Sequence, residues 1–139
     1  MVLEAQKPFP EEPVLVRSKE IIRLFKGEVV NSTIITPISP SILTRPFRHF
    51  LLHLDIDSTS TPTTLRVEIQ FASTVTGKWH TYKQGPFASL YWEDVDTATA
   101  IQECFEGSCA GRLFRIKLTG AGVTSSAYFT VSASVEFLN

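Results

Sequence analysis

The sequence predicts an all-β protein, an antiparallel β-sandwich or jelly roll with an extended N-terminal arm and one short helix. Many segments alternate apolar and polar residues with a period of two, the period at which strand side chains change face. Turns rich in Gly, Pro, Ser and Thr separate these segments, and the 10 Phe, 3 Tyr and 2 Trp suit a pleated surface. About seven to nine strands spaced in this way are typical of sandwiches and jelly rolls.

A chain of 139 residues is most simply a single folded unit. We assign residues 1–13 to a Pro-rich extended arm and residues 14–139 to a single β-sandwich domain. Proline at the density seen in the arm prevents a regular hydrogen-bonded ladder and favours extended chain. Such an arm extends into solvent or lies on a partner, and Phe9 is its candidate contact residue.

The chain between the arm and residue 38 is apolar but irregular. Residues 18–26 fit either a short helix that begins after Ser18 or a strand. The strand is favoured because residues 28–38 are rich in Val, Thr and Ile and lack helical spacing. Both stretches carry more apolar surface than a solvated tail would, so we expect them to be buried in this subunit or against a neighbouring one.

The middle of the chain predicts four further strands. Residues 48–57 and 64–72 alternate most regularly, and each places four large apolar side chains on one face. A turn at Gly77 leads into a strand over residues 79–83, which predicts a hairpin with the strand before it. Residues 88–93 predict a short strand.

One stretch favours a helix. In DTATAIQECFE, residues 96–106, Asp96 is a suitable N-cap, and Gly107 follows as a suitable stop. We therefore predict a short helix at this position.

The last 29 residues, Gly111 to Asn139, contain two alternating segments. Apolar residues alternate with polar ones from Phe114 to Thr119, and again from Phe129 to Phe137, on either side of a Gly-containing turn. This pattern predicts a half-buried antiparallel hairpin, around which the rest of the sandwich would be arranged.

Neither the cysteines nor the histidines predict a metal site. Cys104 and Cys109 are the only cysteines; two free thiols are favoured, and a local disulfide or a metal site are the alternatives. His49 and His53 fall on a predicted strand, where four residues span roughly 13 Å, which is too far for two ligands of one ion. We expect no metal and no cofactor.

Charge and motifs argue against several classes of function. A formal net charge of −1 disfavours nucleic acid as a partner, because binding phosphates requires a concentrated positive field. The sequence has no apolar run long enough to span a membrane and no signal-peptide pattern, so we expect a soluble protein made in a cytoplasm. It also lacks a GxSxG elbow and a glycine-rich phosphate loop, so we do not expect an enzyme.

Four aromatic residues of the domain, Trp79, Tyr82, Tyr91 and Trp92, are candidate partner-binding residues. They fall within fourteen residues of one another, and exposed aromatic rings stack on sugars or form interface hot spots. Because neighbouring residues of a strand face opposite ways, Tyr91 and Trp92 cannot both be in the core.

Part of the chain resembles the discoidin-type, galactose-binding-like jelly rolls. TLRVEIQFASTVTGKWHTY, followed after loops by GRLFRIKL, is similar to the strand, the Gly–Trp turn and the aromatic-rich return of that family. The resemblance covers about half of the chain and implies a jelly roll and a carbohydrate-binding role. The matching positions are Gly77, Trp79, Tyr82, Gly111, Arg112, Phe114 and Arg115.

The chain as a whole is similar in character to small structural proteins of tailed-bacteriophage virions, such as head decoration or cement proteins and neck or tail accessories. The shared features are the Pro-rich arm, the compact β domain and the Thr/Ser-rich strand faces. This resemblance implies a homo-oligomer of the virion, made in the host cytoplasm, that contacts other capsid or tail proteins. We therefore expect a non-enzymatic virion structural protein that docks on or stabilises a capsid or tail assembly; the alternative is a discoidin-type carbohydrate-binding module with a glycan as its partner.

Overall fold

The computed structural model describes residues 20–59, 64–73, 77–82, 90–93 and 101–139, with the backbone alone for residues 90–93. The predicted arm and its Phe9 lie outside these residues. The described residues form nine strands and no helix. The strands are β1 (Ile21–Val30), β2 (Ile42–Leu43), β3 (His49–Thr59), β4 (Thr64–Ala72), β5 (Trp79–Thr81), β6 (Leu90–Glu93), β7 (Ile101–Ser108), β8 (Leu113–Ala121) and β9 (Tyr128–Leu138).

The strands form two antiparallel sheets. One has four strands in the order β1-β9-β3-β7; the other has five, in the order β2-β8-β4-β5, with β6 also paired to β4. β5 pairs with residues 70–72 of β4 and β6 with residues 64–67, so these two short strands follow one another along the same edge of β4. The predicted antiparallel pairing of β4 with β5 is therefore confirmed.

The apolar faces of both sheets form one core. Burial alternates without interruption along β9, and β3 likewise buries Phe50, Leu52, Leu54 and Ile56. β4 and β8 supply the facing residues, including Leu65, Val67, Ile116 and Leu118. The all-β, sandwich-like arrangement predicted from the period of two is confirmed.

An aromatic cluster joins the two sheets inside this core. Phe50 of β3 lies 5.5 Å from Phe114 of β8 and 6.0 Å from Phe71 of β4, measured between ring centroids. Phe114 also makes an edge-to-face contact with Phe137 of β9, at 5.4 Å. Tilted and edge-to-face contacts at such distances stabilise the core beyond the burial of ring area alone.

Residues 21–26, for which a helix and a strand were both open, are strand. β1 pairs with β9 along the edge of the four-stranded sheet, with irregular register between Arg23 and Glu28. Gly27 adopts φ 62°, a conformation that favours glycine, and its amide donates to the Ser132 hydroxyl at 3.0 Å. Such bulges twist an edge strand and interrupt its exposed ladder of hydrogen-bonding groups.

The predicted C-terminal hairpin is wrong in its pairing. β8 pairs with β4 and β2 in the five-stranded sheet, whereas β9 pairs with β1 and β3 in the other. Residues 122–127 therefore connect the two sheets. The alternation correctly gave the buried face of each strand. It did not identify the partner strands, because the backbone of a strand can form the same hydrogen bonds with any neighbouring strand.

The predicted helix over residues 96–106 is also wrong where the structure describes it. Residues 101–106 belong to β7, which pairs antiparallel with β3 from Ile56 to His49, and residues 96–100 lie outside the described residues. Helix propensity is a weak preference, and here pairing with a long central strand overrides it.

The close packing of Gly107 leads to a test of the core. A Cβ atom at this position would lie 2.7 Å from Cε2 and Cζ of Phe50. We expect Gly107→Ala to lower the free energy of unfolding by about 1–3 kcal/mol, because the buried ring or β7 must shift. Urea denaturation measures the change. The exposed neighbour provides the control: Ser108→Ala should stay within about 0.5 kcal/mol of wild type. Equal stability of the Gly107 variant and wild type would contradict this packing.

Candidate functional site

Trp79 lies half-buried on the outer face of the five-stranded sheet, on β5 opposite Ala72. The guanidinium carbon of Arg115, on β8, lies 4.1 Å from the centroid of its ring. Arg115 Nε also donates to Gln70 Oε1 of β4 at 2.8 Å. These three residues form the Trp79 cluster. A cation over a ring face and a charge-assisted hydrogen bond hold the indole in one orientation, with one of its faces covered by the guanidinium.

Further polar groups surround the Trp79 cluster. Thr81 Oγ1 donates to Glu68 Oε2 at 2.9 Å, and Lys117 lies opposite Glu68 in the β4–β8 register. The outer face of this sheet thus presents an indole among hydroxyl, carboxylate and ammonium groups. Such a face can recognise a polar partner by stacking and hydrogen bonding.

Tyr82 belongs to the aromatic cluster. Its ring centroid lies 5.7 Å from that of Phe50 and 5.4 Å from that of Phe71. Its hydroxyl oxygen accepts a hydrogen bond from the backbone amide of Ser108 at 3.2 Å. The ring is half-buried, so packing accounts for much of its surface. A role for Tyr82 in partner binding stays a prediction.

The other candidate residues are less fully described. The backbone of Tyr91 pairs opposite Arg66, and that of Trp92 opposite Leu65. Phe9 lies outside the described residues. The five candidates therefore do not form one described site: Trp79 is on an outer sheet face, whereas Tyr82 packs between the sheets. The partner-binding roles of Tyr91, Trp92 and Phe9 stay predictions.

A cavity of about 240 Å³ opens beside β5. Such a volume is below the roughly 300–1,000 Å³ of pockets that enclose drug-sized ligands. The cavity is lined by Phe71, Ser73, His80, Thr81, Tyr82 and Ala110.

The most exposed apolar side chains lie on the chain that leaves β1. Ile34 is 88% exposed and Ile35 is 69% exposed, and both amides donate to the Ser32 hydroxyl, at 3.1 and 3.3 Å. Val29 before them and Ile38 after them are also exposed. We name Val29, Ile34, Ile35 and Ile38 the isoleucine surface. The apolar composition of residues 28–38 was the only sequence signal for the isoleucine surface. That composition predicted that the segment is buried, but not whether it is buried within its own subunit or against a neighbouring one.

The isoleucine surface is located where the chain passes from one sheet to the other. Val29 pairs with Thr130 of the four-stranded sheet, whereas Ile38 makes an isolated bridge to Lys117 of the five-stranded sheet. The Ser39 amide, next in the chain, donates to the Ile116 carbonyl at 2.9 Å. Both ends of the segment are thus held by backbone hydrogen bonds, and its apolar side chains point away from the core.

Both cysteines are free thiols, which confirms the favoured alternative. Cys104 is exposed on β7, opposite His53 of β3. Cys109 packs against the core just beyond the end of β7, and its burial raises the pKa of the thiol to about 11. Within the described ranges, no group of three or more His, Cys, Asp or Glu residues is placed to hold a metal ion.

Comparisons with known proteins do not assign a family. The chain matches no protein-family model, and it matches no curated protein sequence. In the described part of the chain, no helix has the length and apolar character needed to cross a membrane.

The raised pKa of Cys109 predicts unequal thiol reactivity. The thiolate is the reactive form, and a pKa of about 11 leaves only about one thousandth of the Cys109 thiol ionised at pH 8. Two single-cysteine variants isolate the two thiols: Cys109→Ser retains the exposed Cys104, and Cys104→Ser retains Cys109. We expect iodoacetamide to modify the first variant much faster than the second. The Cys109 rate should rise as the pH approaches 11, whereas equal rates at pH 8 would contradict the burial of this thiol.

Proposed function

We propose that the chain is a non-enzymatic virion structural protein that docks on or stabilises a capsid or tail assembly through contacts between subunits. The observation that carries the proposal is the isoleucine surface. Two adjacent isoleucines, 88% and 69% exposed, stand on a segment whose ends are held by backbone hydrogen bonds. Full burial of one such side chain stabilises a complex by about 1.5–3 kcal/mol. Large exposed apolar side chains grouped on one segment are typical of a protein interface.

The strand order supports a jelly roll within this proposal. β5 and β6 lie along one edge of β4 and together occupy the position of a single strand. Counted in this way, eight strands form two four-stranded sheets, in the orders β1-β9-β3-β7 and β2-β8-β4-β5/β6. Eight strands in two sheets, with chain crossings between the sheets, are typical of jelly rolls, a fold found in viral capsid and lectin domains. Since the fold serves both classes, it does not decide between them.

The occupant that we propose for the isoleucine surface is the N-terminal arm of a neighbouring copy. The described chain starts at Glu20, and the 19 preceding residues could extend at most about 65 Å. Their sequence contains Phe9 and the apolar run Val14, Leu15 and Val16, which can cover exposed isoleucines. Three prolines keep such an arm from pairing with itself, and an extended apolar segment suits binding along an edge.

Two variants test the arm and its binding surface separately. We expect light scattering coupled to size exclusion to show a discrete oligomer for the full chain. Deletion of residues 1–16, which removes the arm together with the apolar run after it, and the double substitution Ile34→Ser with Ile35→Ser should each lower the mass, because each removes one side of the same apolar contact. Asn31→Ser with Thr33→Ser alters neighbouring exposed residues and should leave the mass unchanged. A monomeric full chain, or variants with unchanged mass, would refute the proposed contact.

The alternative function is a carbohydrate-binding module, and the Trp79 cluster is the observation that favours it. The half-buried indole lies on an outer sheet face on the same strand as Thr81, whose hydroxyl is the kind of group that hydrogen-bonds sugars. Arg115 covers one face of the ring, so a sugar would stack on the other face or on the ring edge.

A glycan array with folded variants tests this alternative. If Trp79 is a stacking platform, Trp79→Ala should lose at least about tenfold in affinity, since base or sugar stacking on an aromatic ring contributes of the order of 1–3 kcal/mol. His80→Ala changes the next residue of β5, whose side chain is exposed, and should keep the binding. Absence of glycan binding by the wild-type chain would exclude the alternative, and the circular dichroism melt of each variant verifies that it folds.

A further inference from the structure

Charge is divided unequally between the two sheets. In the four-stranded sheet, the described strands β3, β7 and β9 contain no Lys or Arg. Their acidic residues are exposed or half-exposed. The whole chain has nearly balanced charge, 13 basic against 14 acidic residues, so the division is a property of the fold and not of the composition. The acidic residues on these three strands are Asp55, Asp57, Glu103, Glu106 and Glu136.

Register places four of these carboxylates on the outer face of the four-stranded sheet. Asp55 and Asp57 alternate with buried residues of β3, so they lie on its outer side. Leu51 lies on the same side, and its register partners, Glu136 of β9 and Glu106 of β7, therefore lie on the outer face as well. We name the outer surface of β3, β7 and β9 the acidic face. The Lys and Arg residues of this sheet, Arg23 and Lys26, lie on the edge strand β1, and His49 and His53 lie on the outer side of β3.

On the opposite outer surface, β4 and β8 together carry a net positive charge. Their charged residues are Arg66, Arg115 and Lys117, with Glu68 as a carboxylate, and β6 beside β4 adds Glu93 opposite Thr64. The four charged residues of β4 and β8 alternate with core residues, so they lie on the outer face of the five-stranded sheet, which we name the basic face. Arg115 is already oriented by Gln70 and Trp79, which reduces the entropy lost when it binds a partner.

The acidic face permits close approach along β9, the strand between β1 and β3. There Thr130 and Ser132 lie on the outer side opposite Asp57 and Asp55 of β3, and these small side chains are half-buried. Short side chains beside the two carboxylates allow the cations of a second sheet face to reach them. Attraction between such surfaces speeds encounter and sets orientation.

We propose that the acidic face of one copy binds the basic face of the next copy. The two faces lie on opposite sides of one subunit, because the core lies between the sheets. The contact is therefore head-to-tail, and it repeats from copy to copy until it closes into a ring or extends as a filament. This inference rests on the proposed structural function, for which it supplies a contact between subunits distinct from the isoleucine surface.

Charge-swapped variants of the full chain test the proposal by sedimentation velocity at pH 7.5. Wild type should form larger assemblies in about 20 mM salt than in about 500 mM, where the charges are screened and only the apolar contact at the isoleucine surface remains. Asp55→Lys with Asp57→Lys removes the net negative charge of the acidic face, because two Lys then offset Glu106 and Glu136. Arg66→Glu with Lys117→Glu makes the basic face acidic. Each variant alone should associate at least about tenfold more weakly than wild type.

Mixing the two variants provides the decisive measurement. The equimolar mixture should associate again, because a basic face then meets an acidic face, and loss of folding cannot produce this recovery. The control Lys26→Glu with Glu28→Lys exchanges charges on β1, outside both faces, and should behave as wild type. A mixture that associates no more than the separate variants, while both variants retain their thermal melts, would overturn the pairing of the faces.

The same experiment separates this inference from the proposed function. Association that ignores salt and charge but is lost in Ile34→Ser with Ile35→Ser would support the structural function and overturn the face pairing. Association that follows salt and charge in that isoleucine variant would support the face pairing independently of the arm. A wild-type chain that stays monomeric in about 20 mM salt would overturn both.

Discussion

The structure depends on burial of two sheet faces against each other. Each long strand has one apolar face, and neither sheet can cover that face by itself; packing the sheets together removes both faces from water. The aromatic cluster makes this contact specific, because the rings of Phe50, Phe71 and Phe114 come from three strands of the two sheets. The close approach of Gly107 to Phe50 shows how little space remains.

Because the inner faces form the core, recognition is left to the outer faces, the edges and the crossings. The crossing from β1 to β2 holds two exposed isoleucines between hydrogen-bonded ends, and the two outer faces carry opposite charge. A subunit with one apolar crossing and two complementary faces has several ways to contact copies of itself. This is the arrangement on which the proposed role in a larger assembly is based.

Local sequence patterns predicted strands well where the alternation of apolar and polar residues was long and regular. β4 has the predicted bounds of residues 64–72, and β3 differs from its prediction by one or two residues at each end. The errors have one cause in common. Residues 101–106 are strand because β3 offers an unpaired edge, and β8 and β9 separate because β4 and β3 are their partners. Neither partner is close in sequence.

For the candidate site, too, some properties follow from the sequence and others only from the tertiary structure. The sequence by itself determined which residue types were available: the aromatics of residues 79–92, an apolar stretch over residues 28–38 and nearly balanced charge. Only the tertiary structure decided that Tyr82 packs against the core, that Ile34 and Ile35 are exposed, and that the carboxylates of β3, β7 and β9 lie in a different sheet from the cations of β4 and β8. The physical reason is that a period of two determines side-chain direction within one strand, whereas exposure and charge grouping depend on strands that are distant in the chain.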